Sequence, residues 1–156
     1  MSDAHLSSIM QVVPEWLDYN GHMNMAYYNV LIDRAGDEMY GEMGLGETYA
    51  RTRAHTTYTA EFHICYLREL HLGASVQVRS QLLGFDAKRF VTYHEIWHSD
   101  GWLAATGEAL GLHIDMSGPR VVPFPDDIRT RMQAFKDSQA GLPTPERAGR
   151  AIRLPD

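Results

Sequence analysis

The stretch DYNGHMN (residues 18–24), followed by MAYYNVLIDRAGDEMYGEM (residues 25–43), decides the fold of this chain. The first segment is rich in turn formers: Asn20-Gly21 is a strong turn dipeptide, and Asn24 is a residue type that caps helices. In the second segment, apolar side chains recur every three or four residues, which predicts one apolar helical face. These side chains are Tyr28, Leu31, Ile32, Ala35 and Met39. The pattern predicts a turn leading directly into a long helix that ends among Gly41, Gly44 and Gly46.

After the helix the hydrophobic period changes to two. Over residues 56–67 apolar and polar side chains alternate, which is typical of a strand. The apolar parity carries Tyr58, Ala60, Phe62, Ile64 and Tyr66. Short turns separate three further strands over residues 75–83, 89–98 and 102–116, and residues 7–13 form a strand before the helix. Consecutive strands joined by short turns predict an α+β fold, in which a five-stranded antiparallel sheet wraps around the long central helix.

The C-terminal region predicts one more helix and then a tail. Pro123 and Pro125 interrupt the chain, and Asp126 can cap a helix that ends near Gly141. Residues 142–156 carry three prolines and few apolar side chains, so we expect a tail that is ordered only if something docks it. The chain is therefore expected to form one domain over residues 1–141, including the C-terminal helix, with a tail over residues 142–156.

Charge and composition exclude several classes of function. A formal net charge of −6 leaves no basic field for a phosphate backbone, so no nucleic-acid partner is expected. No apolar run approaches the ~20 residues of a membrane span, and residues 1–8 lack the features of a signal peptide. The single cysteine, Cys65, allows no intrachain disulfide and suits a reducing compartment. We expect a cytoplasmic protein with no membrane partner.

The loop containing Asp18 and His22 leads directly into the predicted helix N-terminus. Unpaired backbone N–H groups and the positive end of the helix dipole point outward there. A thioester carbonyl placed at this end would be polarised, and its oxyanion would be stabilised on attack. A carboxylate a few residues upstream could attack the carbonyl or activate a water. The loop therefore favours thioester hydrolysis, which needs no metal.

Residues 18–28, DYNGHMNMAYY, resemble the D-x-x-G-H-x-N-x-x-Y motif of the hotdog-fold acyl-CoA thioesterases of the 4-hydroxybenzoyl-CoA thioesterase-like family. The resemblance spans roughly residues 9–116 and includes YLRE (66–69) followed by LGA (72–74), where Ala74 replaces an acidic residue usual in the family. The phrase PEWLDYNGH (14–22) is most similar to the betainyl-CoA thioesterases of carnitine breakdown. The resemblance implies a hotdog fold, an acyl-CoA substrate and a homo-oligomer, either a dimer or a tetramer.

The resemblance also implies roles for individual residues. Asp18 would be the catalytic carboxylate, as nucleophile or general base, and the backbone amides of Met25 and Ala26 would polarise the carbonyl. The remaining motif residues would shape the loop or line the acyl pocket, namely Gly21, His22, Asn24, Tyr27 and Tyr28. Scattered basic residues hold the coenzyme A phosphates in this family, and the candidates here are Arg68, Lys88 and Arg89. Coenzyme A enters as part of the substrate, so no separate cofactor is expected.

Other residues that could carry chemistry are less favoured. HEIWH (94–98) reads as H-E-x-x-H, a zinc motif when it lies on a helix. The flanking pattern predicts a strand instead, on which residues four apart lie ~13 Å apart and cannot share one metal, so no metal site is expected. Cys65 lies in mid-strand and is better explained as a small buried hydrophobe than as a nucleophile. Glu61 is the reserve carboxylate if Asp18 is not the catalytic group.

The expected function is an acyl-CoA thioesterase that releases a free acid and coenzyme A. Two alternatives remain open: a dehydratase or hydratase of the same fold, which would need a histidine–acid pair aimed at the acyl chain, and a non-enzymatic module that binds acyl-CoA or another small ligand. The residues do not define the acyl group. Aromatic side chains near the helix would suit aromatic, short aliphatic or quaternary-ammonium chains, the last by cation–π contact.

Overall fold

A computed structural model of the chain describes residues 3–156, so the first two residues of the expected domain lie outside the described part. The strands are β1 (His5–Leu6), β2 (Met10–Gln11), β3 (His55–Tyr66), β4 (Ser75–Phe85), β5 (Arg89–His98), β6 (Leu103–Asp115) and β7 (Arg120–Val121). The helices are α1 (Met25–Met43), α2 (Glu47–Arg53) and α3 (Asp126–Ser138), and a 3-10 turn (Pro14–Trp16) precedes the loop at residue 18.

The strands form one antiparallel sheet in the order β1-β4-β5-β6-β3, with β2 also on β4 and β7 also on β6. The antiparallel α+β prediction is confirmed, but the described residues contain seven strands rather than five. Within the expected first strand, residues 7–13, only Met10–Gln11 forms a strand, β2, and a second short strand, β1, precedes it; both pair with β4. Ser7 divides them, because its hydroxyl accepts a hydrogen bond from the Val78 N–H (3.0 Å) in place of a backbone carbonyl. The added strand β7 is a two-residue extension at the end of β6.

Helix α1 occupies the predicted residues and packs its apolar face against the sheet. Leu31, Ala35 and Met39 on this face are fully buried. Burying a side chain of the size of Leu or Met contributes roughly 1.5–3 kcal/mol, so this face is a major source of the stability that holds the helix in place. Gly44 ends the helix in the left-handed conformation (φ 80°), as a glycine C-cap does.

Two local predictions needed correction. Helix α2 was not predicted, because a seven-residue helix is too short to show a clear period; it is held instead by the buried Tyr49, whose hydroxyl lies 2.7 Å from His113 Nε2. In β3 the expected alternation breaks at a bulge between Thr59 and Glu61. Tyr58 is 48% exposed, because β3 is an edge strand whose faces are only partly covered.

The C-terminal helix α3 packs on the far end of α1. Ile128 and Met132 share a buried cluster with Met39 and Met43. The helix ends at Ser138, three residues before the expected end. The tail beyond it contacts the domain through the Gly149 N–H, which donates to the Glu108 carboxylate over 2.7 Å. Among residues 3–156, no helix combines the length and the apolar character that crossing a membrane requires.

Candidate active site

The loop at Asp18 is a tight turn closed by its own hydrogen bonds. The Asp18 N–H donates to the His22 carbonyl, and the Gly21 N–H donates to the Asp18 carbonyl, with an N···O distance of 3.1 Å in both bonds. Gly21 has a φ of +82°, a conformation that side chains with a Cβ rarely adopt, which explains the glycine at this position. The Asn20 N–H donates to Asp18 Oδ1 over 2.8 Å. One carboxylate oxygen therefore fixes the turn, while Oδ2 has no hydrogen-bond partner within residues 3–156.

This loop forms one wall of a cavity of about 430 Å³. Its lining comes from the loop, the start of α1 and the segment that follows β3. The lining residues are Asp18, Tyr19, Asn20, His22, Met23, Asn24, Met25, Tyr28, Tyr66, Leu67, Arg68 and Glu69. We call this the Asp18 cavity. It is small enough for a short acyl group and contains both the carboxylate and the helix start that the sequence singled out.

The start of α1 offers one free amide rather than two. Asn24 caps the helix, and its Oδ1 accepts a hydrogen bond from the Ala26 N–H over 2.9 Å. The Ala26 amide thus already has an acceptor within the chain, and the role of the Met25 and Ala26 amides in polarising the carbonyl stays a prediction. The Met25 N–H donates to no acceptor in the described chain, and Met25 lines the Asp18 cavity. A carbonyl oxygen in the cavity would therefore meet a single backbone donor at the positive end of the helix dipole.

Two tyrosines form the wall opposite the loop. Tyr28 is buried, and its hydroxyl accepts from the Leu70 N–H over 3.0 Å; burial raises the pKa of this phenol. Tyr66 packs edge-on against Tyr28, with ring centroids 5.1 Å apart, and donates from its hydroxyl to the Met25 carbonyl over 3.1 Å. Tyr27 does not reach the cavity. It stacks on Trp16 at 5.6 Å and so supports the loop from behind.

Glu69 is a second carboxylate in the Asp18 cavity that the sequence analysis missed. Its Oε2 lies 3.5 Å from His22 Nε2, and its Oε1 lies 3.3 Å from His71 Nε2. The other nitrogen of His22, Nδ1, lies 3.3 Å from the Met23 carbonyl. The reserve carboxylate Glu61 lines no part of this cavity. The only signal in the sequence was that Glu69 ends the YLRE segment.

The three basic residues expected to hold phosphates do not come together in one chain. Arg68 lines the Asp18 cavity, with its guanidinium carbon 4.0 Å from the Trp102 ring centre. Arg89 lies opposite Leu112 of β6, and the Arg68 N–H donates to the carbonyl of Ala104 on the same strand. These two positions on β6 are eight residues apart, so Arg68 and Arg89 are separated by roughly 25 Å. Arg89 is also paired with Asp86. Arg68 alone among the three lies beside the candidate site.

A larger cavity of about 820 Å³ lies between α1 and the edge strand β3. Its rim carries Asp33, Asp37 and Glu47. Partial burial, followed by the charges of Asp33 and Glu47, raises the pKa of Asp37. Asp33 is eight residues beyond Met25, which places it about 12 Å further along the helix. This acidic rim is therefore separate from the atoms of the Asp18 cavity.

The HEIWH segment lies on strand β5, as expected. His94 is 2% exposed, and its ring nitrogens contact the hydroxyls of Ser80 (2.8 Å) and Thr92 (2.9 Å). Complete burial lowers the pKa of His94 to about 4, with a smaller contribution from His5. His98 instead stacks on Trp102 at 4.4 Å. Each histidine thus has its own partners, and no cluster of three or more metal-ligating side chains occurs within residues 3–156.

Comparison with known proteins places the chain among thioesterases. A model of the thioesterase-like superfamily matches residues 12–132. The betainyl-CoA thioesterase of Pseudomonas aeruginosa is 38% identical over 145 residues, which cover 92% of this chain and 91% of that protein. The L-carnitine dehydrogenase/betainyl-CoA thioesterase of Agrobacterium fabrum is 38% identical over 138 residues, and the match covers 88% of this chain but 28% of that longer protein.

Solved structures agree with the sequence comparison. A Staphylococcus aureus protein in complex with CoA superposes with a TM-score of 0.88 at 29% identity, covering 98% of both chains. A thioesterase candidate from Pseudomonas putida KT2440 superposes with a TM-score of 0.85 at 32% identity, again covering 98% of both chains. The expected hotdog fold is therefore confirmed.

Proposed function

The chain belongs to the thioesterase-like superfamily and is a thioester hydrolase, and we propose that it cleaves a small acyl-CoA with Asp18 as the carboxylate that acts at the acyl carbon. The observation that carries this proposal is the meeting of three features in one cavity. These are the Asp18 Oδ2, which has no hydrogen-bond partner among residues 3–156, the Met25 N–H, which donates to no acceptor among them, and a volume suited to a short acyl group.

The reaction would proceed by one of two routes. In the first, Asp18 takes a proton from a water whose oxygen bonds to the carbonyl carbon. The carbonyl oxygen becomes an oxyanion beside the Met25 N–H, the C–S bond then breaks, and the departing thiolate receives the proton from Asp18. In the second, Asp18 itself bonds to the carbonyl carbon and expels the thiolate, and water then hydrolyses the resulting anhydride. Both routes use the same groups.

The geometry of His22 argues against a dehydratase or hydratase. Such an enzyme needs a histidine nitrogen free to remove or deliver a proton on the acyl chain. Both nitrogens of His22 face acceptors instead, the Met23 carbonyl and the Glu69 carboxylate. His22 is therefore better suited to hold the loop than to act as a base.

The lining of the Asp18 cavity favours an acyl group that carries a quaternary ammonium. In a betainyl thioester the ammonium is one methylene from the carbonyl carbon, so it must bind inside this cavity if Asp18 acts at the carbonyl. Tyr19, Tyr28 and Tyr66 place three aromatic rings in its lining, and Glu69 adds negative charge. An aromatic ring contributes about 0.5–2 kcal/mol to binding such a cation. The distant acidic rim at Asp33 could not contact so short a group within one chain.

A homodimer would complete this arrangement. Strand β3 is a twelve-residue edge paired only with β6 among the described strands, and an unprotected edge of this length invites pairing with a second copy. The open cavity beside β3 lies along the same edge. Coenzyme A would lie near Arg68, and Lys88 or Arg89 could reach its phosphates only from another subunit. A tetramer of two such dimers is compatible with the same edge pairing.

The test is thiol release from a panel of acyl-CoA thioesters, followed with a thiol reagent. Betainyl-CoA and 3,3-dimethylbutyryl-CoA form a matched pair, because they have the same shape and differ in the charge of the acyl group. We expect kcat/KM for betainyl-CoA to be about 5- to 30-fold higher, corresponding to one or two cation–π contacts. Equal values would remove the quaternary-ammonium assignment, and no thiol release from any member of the panel would remove the hydrolase.

A further inference from the structure

We propose that Glu69 is a positioning residue that holds the Asp18 loop in its reactive orientation through His22. The proposal rests on the hydrolase function proposed above, and it concerns a residue that lies 51 positions from Asp18 in the sequence.

Glu69 joins two histidines from different parts of the chain. One carboxylate oxygen lies 3.5 Å from His22 Nε2, in the Asp18 loop, and the other lies 3.3 Å from His71 Nε2, in its own segment. The two imidazole rings meet edge to face, with centroids 6.3 Å apart. Because Glu69 uses a separate oxygen for each histidine, removing the His71 side chain leaves the oxygen that faces His22 in the chain.

The backbone explains why a side chain is needed to hold the loop. The segment after β3 is fixed to the helix and to the loop exit: the Met23 N–H donates to the Leu70 carbonyl over 2.8 Å, and the Leu70 N–H donates to the Tyr28 hydroxyl. The turn over residues 18–22 has backbone hydrogen bonds that are internal to it. The His22–Glu69 pair is thus the polar side-chain link from this turn to the fixed segment.

The pair is too exposed to contribute much to stability but well placed to set orientation. The His22 side chain is 30% exposed and that of Glu69 is 55% exposed, and side-chain contacts with this much exposure contribute little to folding. Displacing a reacting group by about 1 Å can nevertheless slow catalysis by about 100-fold. Loss of the pair should therefore lower turnover much more than it lowers stability.

The first experiment compares Glu69→Ala with two other variants. With 3,3-dimethylbutyryl-CoA, whose uncharged acyl group does not depend on the Glu69 charge for binding, we expect Glu69→Ala to lower kcat by about 5- to 20-fold with KM within about twofold, because the loop is displaced while the cavity remains. Glu69→Gln keeps an oxygen that can accept a hydrogen bond from His22. We expect its log kcat to lie at least about halfway from that of Glu69→Ala to that of the parent protein. His71→Ala removes only the second contact of Glu69 and should stay within about twofold of the parent kcat.

A double-mutant cycle then tests whether Glu69 acts through His22. If it does, the double variant His22→Ala/Glu69→Ala should be no slower than His22→Ala alone. Effects that multiply would overturn the proposal, and so would a Glu69→Ala variant with the kcat of the parent protein.

Hydrogen exchange supplies a readout that does not depend on activity. The Asn20 and Gly21 amides close the turn, and we expect both to exchange about 3- to 10-fold faster in Glu69→Ala than in His71→Ala. Unchanged exchange at these amides would overturn the positioning role even if the protein released no thiol from any acyl-CoA. Absence of thiol release would count against the hydrolase proposal alone.

Discussion

Replacing Asn24 with aspartate should separate the stability of helix α1 from its catalytic use. Asn24 Oδ1 caps the Ala26 N–H over 2.9 Å, one residue from the Met25 amide at which the oxyanion is expected to form. Aspartate is an equally good cap and also suits the positive end of the helix dipole. It would, however, place a negative charge beside the developing oxyanion. Asn24→Asp should therefore be as stable as the parent protein but slower.

The magnitudes follow from this geometry. Two unit charges about 4 Å apart near a protein surface repel by roughly 4 kcal/mol. Asn24 is only half-buried, so solvent reduces this repulsion, and we expect about 1.4–3 kcal/mol in the transition state, or a 10- to 100-fold lower kcat. Asn24→Ala removes the cap without adding charge. It should lower the free energy of unfolding by about 1 kcal/mol and kcat by less than the aspartate does.

The assay combines urea unfolding with thiol release from the best acyl-CoA of the panel. We expect stability and turnover to identify different variants: the alanine variant should be the less stable of the two, and the aspartate variant the slower. If Asn24→Asp turned over at the parent rate, the oxyanion would not form at the start of α1. That result would refute the proposal that the N-terminus of α1 polarises the thioester carbonyl.

Two further predictions concern the sheet. Gly107→Ala should lower the free energy of unfolding by about 1–3 kcal/mol, because a Cβ there would lie 2.7 Å from Ile32 Cδ1 and 2.9 Å from Phe62 Cζ. Gly118→Ala, with nothing within 4 Å, is the matched control; equal urea midpoints would show that the core yields easily. His94 has its pKa lowered from 6.5 to about 4 by burial, so the unfolded chain binds its proton first as the pH falls. The stability from neutral His94 is complete above pH 6.5 and is lost between 6.5 and 4. Between pH 7 and 4.5 the parent protein should lose roughly 2 kcal/mol more than His94→Gln, and parallel pH profiles of the two proteins would contradict this.

Local patterns were sufficient to predict much of this structure. The spacing of Leu31, Ala35 and Met39 defined α1, and the alternation along β3–β6 defined the sheet, because both patterns reflect burial on one face. The first strand was misplaced because the break at Ser7 depends on its hydroxyl reaching the Val78 N–H, a contact between residues far apart in sequence. Propensity carries no information about such a bond.

The candidate site shows the same limit. Asp18, Gly21 and Asn24 form a contiguous motif, and each has a local structural reason to lie where it does. Glu69 was missed because it follows the edge strand β3, and only the folded sheet brings the end of that strand beside the His22 loop. Lys88 and Arg89 were grouped with Arg68 on charge alone, and the length of the strands separates them in one chain.

The most direct measurement is the single-turnover rate of Asp18→Asn with the best acyl-CoA substrate. Asparagine keeps an Oδ1 that can accept from the Asn20 N–H, so the turn should persist and coenzyme A should bind as in the parent protein. A rate lower by about 100- to 10,000-fold, with unchanged thermal stability, is the expected result. A rate within tenfold of the parent would mean that some other group attacks or activates water at the acyl carbon.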